Sequence, residues 1–105
     1  IAAMFASGHY ANALGCEAII GGLSLLAGDA MQPAIERAIA LSGGRLRGMR
    51  NPLAWHPDPR VTSSPVTPPP GLALSDPFHR GALCLAKNGL SLDVWDYHTQ
   101  LDEIA

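Results

Sequence analysis

Apolar and polar positions alternate along this chain in blocks that change period. Glu17–Leu25 holds a short continuous apolar run, Ala18-Ile19-Ile20, then Gly21-Gly22 and Leu23. A short apolar run bounded by glycines predicts a strand buried on both faces. Ile35, Ala38, Ile39 and Ser42 then recur at helical spacing, with Glu36 and Arg37 on the opposite side. Asp29 or Gln32 opens this helix, Pro33 lies near its first turn, and Gly43-Gly44 stops it. A second strand follows at Leu46–Arg50. Ser75-Asp76-Pro77 starts another helix with a capping side chain and an early proline. Its buried stripe is Phe78, Gly81, Ala82, Leu85 and Ala86, with Gly81 allowing a close approach to a sheet, and Asn88-Gly89 ends it. A third strand covers Leu90–Asp96, and Thr99-Gln100-Leu101-Asp102 begins a last helix with a capping-box pattern. Ile1–Ser7 reads as the last turns of a helix ended by Gly8, and His9–Cys16 as a loop.

The predicted fold class is therefore α/β. Three strands separated by helices require parallel pairing with crossover connections. The two architectures that suit this order are part of a (β/α)8 barrel and part of an open doubly wound sheet. No G-x-G-x-x-G or P-loop segment is present, which weighs against a nucleotide-binding open sheet. Asn51–Leu74 is a long loop rich in proline, with Trp55, Val61, Val66 and Leu72 as apolar anchors. Loops this long in compact domains tend to be functional or disordered, and the anchors favour a packed one.

The chemistry clusters at the carboxyl ends of the second and third strands, where ligands sit in barrels and open sheets. Arg50, Trp55, His56, Trp95, Tyr97 and His98 all fall there and are the candidate substrate-binding residues. On the third strand, Ser91, Asp93, Trp95 and Tyr97 share the face expected to line an interior, and Leu90, Leu92 and Val94 the face against helices. Arg50 shares a face with Leu46 and Gly48. Its planar fork suits a carboxylate ligand, and the competing role is an ion pair with Asp93 or Asp96. Trp55 could equally pack the loop onto the sheet, and His98 could cap a helix or face solvent. His9 and His79 have no supporting context.

Composition narrows the picture further. The 105 residues are 48% hydrophobic and 15% charged, with a net charge of −2. No basic cluster exists, so neither nucleic acid nor an anionic membrane is an expected partner. The apolar run Ala18–Ala27 is too short to span a bilayer. Cys16 and Cys84 sit in unrelated settings, and a reduced, cytoplasmic compartment is the expectation, with a disulfide as the lesser alternative. There is no H-x-H, H-E-x-x-H, paired C-x-x-C or G-x-S-x-G, so neither metal ligands nor a serine nucleophile can be assigned. The chain opens on Ile1 and closes at Ala105 in the first turns of a helix. The expectation is an internal segment of a longer protein.

Arg47-Gly48-Met49-Arg50, Trp55-His56-Pro57-Asp58-Pro59, Ser75-Asp76-Pro77-Phe78 and Gly89-Leu90-Ser91-Leu92-Asp93-Val94-Trp95 together resemble the amidohydrolase superfamily. The nearest branch is that of the TIM-barrel metal-dependent hydrolases, which includes sugar lactonases and pyrone dicarboxylate lactonase. The resemblance implies a partial (β/α)8 barrel and addition of water to a lactone, ester or amide carbonyl of a small anionic substrate. It implies a divalent metal such as zinc, carbonyl polarisation and attack by activated water. Arg50 matches an arginine that grips a substrate carboxylate, and Tyr97 and His98 match substrate-contacting positions. The first-strand H-x-H, the later histidines and the final aspartate are absent, so catalytic groups are expected outside this segment, which alone should be inactive. Homo-oligomerisation is a further expectation. The alternatives are a non-enzymatic α/β binding module and a decarboxylase of the same superfamily.

Overall fold

The computed structural model describes residues 17–62, 64 and 67–105. The helix end predicted at Ile1–Ser7 and the loop predicted at His9–Cys16 lie outside them, as does the loop anchor Val66. Three strands form one sheet: β1 (Ile19–Gly22), β2 (Leu46–Pro52) and β3 (Ser91–Trp95). They lie in the order β1-β2-β3, and both pairs are parallel. The helices are α1 (Gln32–Leu41), α2 (Asp76–Lys87) and the single turn α3 (Leu101–Ile104). Three 3-10 stretches join them, at Leu25–Met31, Leu72–Leu74 and His98–Gln100. The chain is thus mixed α/β with three parallel strands.

Local chemistry sets the boundaries. Ser42 ends α1: its hydroxyl donates to the Ile39 carbonyl at 2.8 Å and accepts the Leu46 N–H at 3.1 Å. One side chain so terminates the helix and seats the start of β2. Gly43 and Gly44 between them have φ of 62° and 79°, a left-handed turn that side chains with a Cβ resist. Ser75 caps α2, its hydroxyl accepting the Phe78 N–H at 3.4 Å. Asp76 in the first turn and Lys87 in the last match the helix dipole. The predicted capping box at Thr99 is replaced by a 3-10 turn, in which the Gln100 N–H donates to the Tyr97 carbonyl at 2.8 Å.

Both long helices pack on one face of the sheet. Leu46, Met49 and Leu53 from β2 and its extension meet Ile35 of α1 and Phe78, Cys84 and Leu85 of α2 in one cluster. Leu25 and Met31 complete it from the first 3-10 stretch. That stretch, and not the sheet, is what Gly81 lets α2 approach: a Cβ there would lie 2.9 Å from both Leu25 Cβ and Met31 Sδ. Ala86, expected in the buried stripe, is exposed, and Cys84 takes the inward position. Gln32 and Asn88 tie the two helices together, Asn88 Nδ2 donating to Gln32 Oε1 at 2.8 Å and Gln32 Nε2 to Asn88 Oδ1 at 3.2 Å.

The opposite face of the sheet is open. Ile20 is 46% exposed, and Gly22 is exposed too, so β1 is not buried on both faces as its apolar run predicts. No described element lies over that side. Gly48, Arg50 and Pro52 of β2 share it with Ser91, Asp93 and Trp95 of β3 through the pairs Gly48–Ser91, Arg50–Asp93 and Pro52–Trp95. Leu46 does not share it. The β1–β2 register shifts between Ile19 and Ile20, and Leu46 turns to the helix side beside Met49.

Candidate functional site

The carboxyl ends of β1 and β2 and the loop after β2 enclose a cavity of about 640 Å³. Gly22, Leu23, Ser24 and Leu26 contribute from β1 and the turn beyond it. Arg50, Asn51 and Pro52 contribute from β2, and Trp95 from the end of β3. The loop after β2 contributes Ser64, Thr67, Pro68, Pro69 and Leu72. The walls are mostly apolar, and among the described lining residues Arg50 is the one cation. A concave apolar site with few polar groups, at the carboxyl edge of a parallel sheet, has the form of a small-molecule pocket.

Asn51 builds one wall. Its side chain lies on the helix side of β2, buried, where its Oδ1 accepts the Leu25 N–H at 3.0 Å. That bond ties the turn carrying Ser24 and Leu26 to β2. In the sequence Asn51 reads as the start of the loop. The available signal was its period-two spacing with Met49 and Leu53, which puts a polar group on an apolar face, where it needs a partner.

Arg50 is engaged by Asp93, its register partner on β3. Nε donates to Asp93 Oδ2 at 2.7 Å, and Nη2 lies 2.5 Å from the same oxygen. The ion-pair partner is Asp93 and not Asp96. Asp93 is not buried, contrary to the expectation of a lined interior: its side chain is 37% exposed and that of Arg50 62%, because the open face leaves both in contact with solvent. Asp96, next along the chain from Trp95, has its Oδ2 buried with no hydrogen-bond partner among the described residues.

Of the six candidates, Arg50 and Trp95 line the cavity, and Trp55, His56, Tyr97 and His98 do not. His56 and Tyr97 form a second cluster at the same end, their rings edge-to-face with centroids 6.2 Å apart. The Tyr97 hydroxyl donates to the Val61 carbonyl at 3.2 Å, and His56 Nδ1 accepts the Asp58 N–H at 3.0 Å. Asp58 in turn is gripped by Arg60, whose Nη2 lies 2.7 Å from Oδ2. The hydrogen bonds from the Arg60 side chain and then from its backbone N–H hold the Asp58 carboxyl below the usual carboxylate range, and Asp58 raises Arg60 in return. These contacts fold the 55–61 stretch onto itself. Trp55 is half-buried, His98 is exposed in the last 3-10 turn, and Val61 is an exposed anchor.

Gln100 locks this second cluster in place and was not singled out from the sequence. It is 4% exposed. Its Nε2 donates to the Leu53 carbonyl at 2.9 Å, and its Oε1 accepts the Trp55 N–H at 2.9 Å and the Tyr97 N–H at 3.3 Å. One amide thereby joins the exit of β2 to the exit of β3. Leu53 and Trp55 lie 47 and 45 residues away, beyond the reach of local spacing; only the bond from Tyr97, three residues back, is local.

Among the described residues no group of three or more His, Cys, Asp or Glu side chains could hold a metal ion. Among the same residues no helix is long and apolar enough to cross a membrane. The chain matches no family model, no curated protein and no solved structure.

Proposed function

We propose that this chain forms the substrate-binding part of a (β/α)8-barrel hydrolase of the amidohydrolase type, which adds water to a lactone, ester or amide carbonyl of a small anionic substrate. The observation that carries the proposal is Arg50 on the wall of a mostly apolar cavity at the carboxyl edge of a parallel sheet. A guanidinium there binds a carboxylate while the apolar walls take the substrate body. The barrel reading is supported by the spatial order β1-β2-β3, in which each crossover steps the same way, with both helices on one side. Ile20, Pro52 and Trp95 on the open face are apolar or aromatic, as the inward face of a closed barrel needs. The divalent metal that the resemblance implies does not fit a site built from the described residues, so no catalytic step is routed through one.

The role left to these residues is binding and orientation. Arg50 anchors the anionic group, and Trp95 and the prolines of the loop take the apolar substrate body. The test is acid release from a carboxylate-bearing lactone and from its methyl ester by the protein carrying this chain. Arg50→Ala should raise KM for the carboxylate by roughly ten- to a hundredfold, about one bidentate contact, and leave KM for the ester unchanged. An unchanged KM for the carboxylate contradicts the proposal. Release of carbon dioxide in place of ring opening assigns the decarboxylase, and tight binding with no turnover assigns the binding module.

A further inference from the structure

We infer that Asp93 is a positioning residue for Arg50: it holds one edge of the guanidinium and presents the other edge to a ligand carboxylate in the cavity. The inference rests on the reading of that cavity as an anion-binding site. The geometry supplies the rest. Arginine carries five N–H donors in a rigid planar fork. Nε and Nη2 both reach a single oxygen, Asp93 Oδ2, so the pair uses the side edge of the fork. Among the described residues Arg50 has no other side-chain partner, which leaves Nη1 and the second Nη2 hydrogen unused. Ion pair and ligand contact therefore occupy different edges of the Arg50 guanidinium and are compatible.

Placement explains why such a holder is needed. Arg50 and Asp93 face each other in register on neighbouring parallel strands, so the ladder fixes both Cα positions. The Arg50 side chain is nonetheless well exposed, and an unheld arginine there would lose many rotamers on binding a ligand. Asp93 imposes that ordering beforehand. An exposed ion pair adds little to folding, so its effect is expected in binding. Asp93 also repels an incoming carboxylate, but from the far side of the guanidinium and across solvent. The ligand class is a small monocarboxylate with an apolar body, matched to Leu23, Leu26, Pro52, Leu72 and Trp95 around the single cation.

The experiment titrates the chain with benzoate and, separately, with neutral benzamide. Binding is read by NMR at the indole N–H groups and at the Arg50 Nε–H. Asp93→Ala is expected to weaken benzoate binding about tenfold, one charge-assisted contact, without changing benzamide binding. Asp93→Asn, which keeps an acceptor oxygen, should recover part of the loss. The Arg50 Nε–H resonance should broaden in Asp93→Ala. Arg50→Lys keeps the charge but has no second edge, and should lose benzoate affinity comparably. Benzoate binding that is equal or tighter in Asp93→Ala, or full affinity in Arg50→Lys, overturns the positioning role. Arg50→Ala separates the two claims: unchanged benzoate affinity there overturns the anion site itself, whereas a loss confined to Arg50→Ala overturns only the role of Asp93.

Discussion

Replacing Gln100 with alanine removes a buried side chain that bonds the exits of β2 and β3 to each other. Three hydrogen bonds disappear: to the Leu53 carbonyl at 2.9 Å, from the Trp55 N–H at 2.9 Å and from the Tyr97 N–H at 3.3 Å. Each typical bond contributes about 1 kcal/mol net, and the longest counts for less. Leu53 is buried, so its orphaned carbonyl adds a desolvation cost of about 1–3 kcal/mol unless water enters. The expected loss for Gln100→Ala is about 3–6 kcal/mol, a fall in Tm of more than about 10 °C. Gln100→Glu sharpens the test. Protonated, the new side chain still donates to the Leu53 carbonyl; ionised, it sets a charge against that oxygen. Folding therefore raises its pKa above the ordinary value of about 4.3. A raised pKa gives stability that is fully present below the unfolded value and lost as pH rises through the folded value. Gln100→Glu should approach the wild type near pH 4 and fall behind it by pH 7, while the Gln100→Ala deficit stays flat. Urea unfolding at both pH values, with amide exchange at Trp55, measures this. A Gln100→Ala midpoint equal to wild type, or a pH-independent Gln100→Glu deficit, would refute the assignment of Gln100 as the clamp.

Gly81→Ala should destabilise by about 1–2 kcal/mol, because overpacking against Leu25 and Met31 outweighs the gain of about 1 kcal/mol in helix propensity; an unchanged or raised urea midpoint contradicts this. Asp58 should titrate below about 3.9 by carboxyl-carbon NMR and return toward that value in Arg60→Ala. Its depressed pKa means that any stabilisation is present above the unfolded pKa and disappears as pH falls through the folded one, so Arg60→Ala and wild type should converge in strong acid. Arg50→Ala should change stability by less than about 1 kcal/mol, since the pair with Asp93 is exposed; a larger fall in Tm would make it a structural residue.

The three strands and two long helices were legible because each has a strong local signal. The Ser75 cap with Pro77 and the 3.6-residue spacing of Ile35, Ala38, Ile39 and Ser42 mark their elements within the chain itself. The pairing of Arg50 with Asp93 was also legible, since both sit near the ends of adjacent parallel strands with alternating faces. What escaped depends on long-range geometry. Whether Ile20 is covered depends on what lies over the sheet, which an apolar run cannot state. Leu46 changes face through a register shift set by pairing with β1. Trp55, His56 and Tyr97 gather at the predicted end of the sheet, yet the fold of the 55–61 stretch draws His56 and Tyr97 to Asp58 and Val61, apart from Arg50. Asn51 is tied to Leu25, and Gln100 to Leu53 and Trp55, partners tens of residues away.

On the proposed reading, ligand binding belongs to the Arg50 and Trp95 half of the rim and not to the half formed by His56 and Tyr97. The chain has two tryptophans, one in each half, which gives two separate indole N–H reporters. Titration of the wild-type chain with benzoate should move the Trp95 indole signal together with the Arg50 Nε–H and leave Trp55 in place. A response at Trp55 alone, or at neither indole, contradicts it.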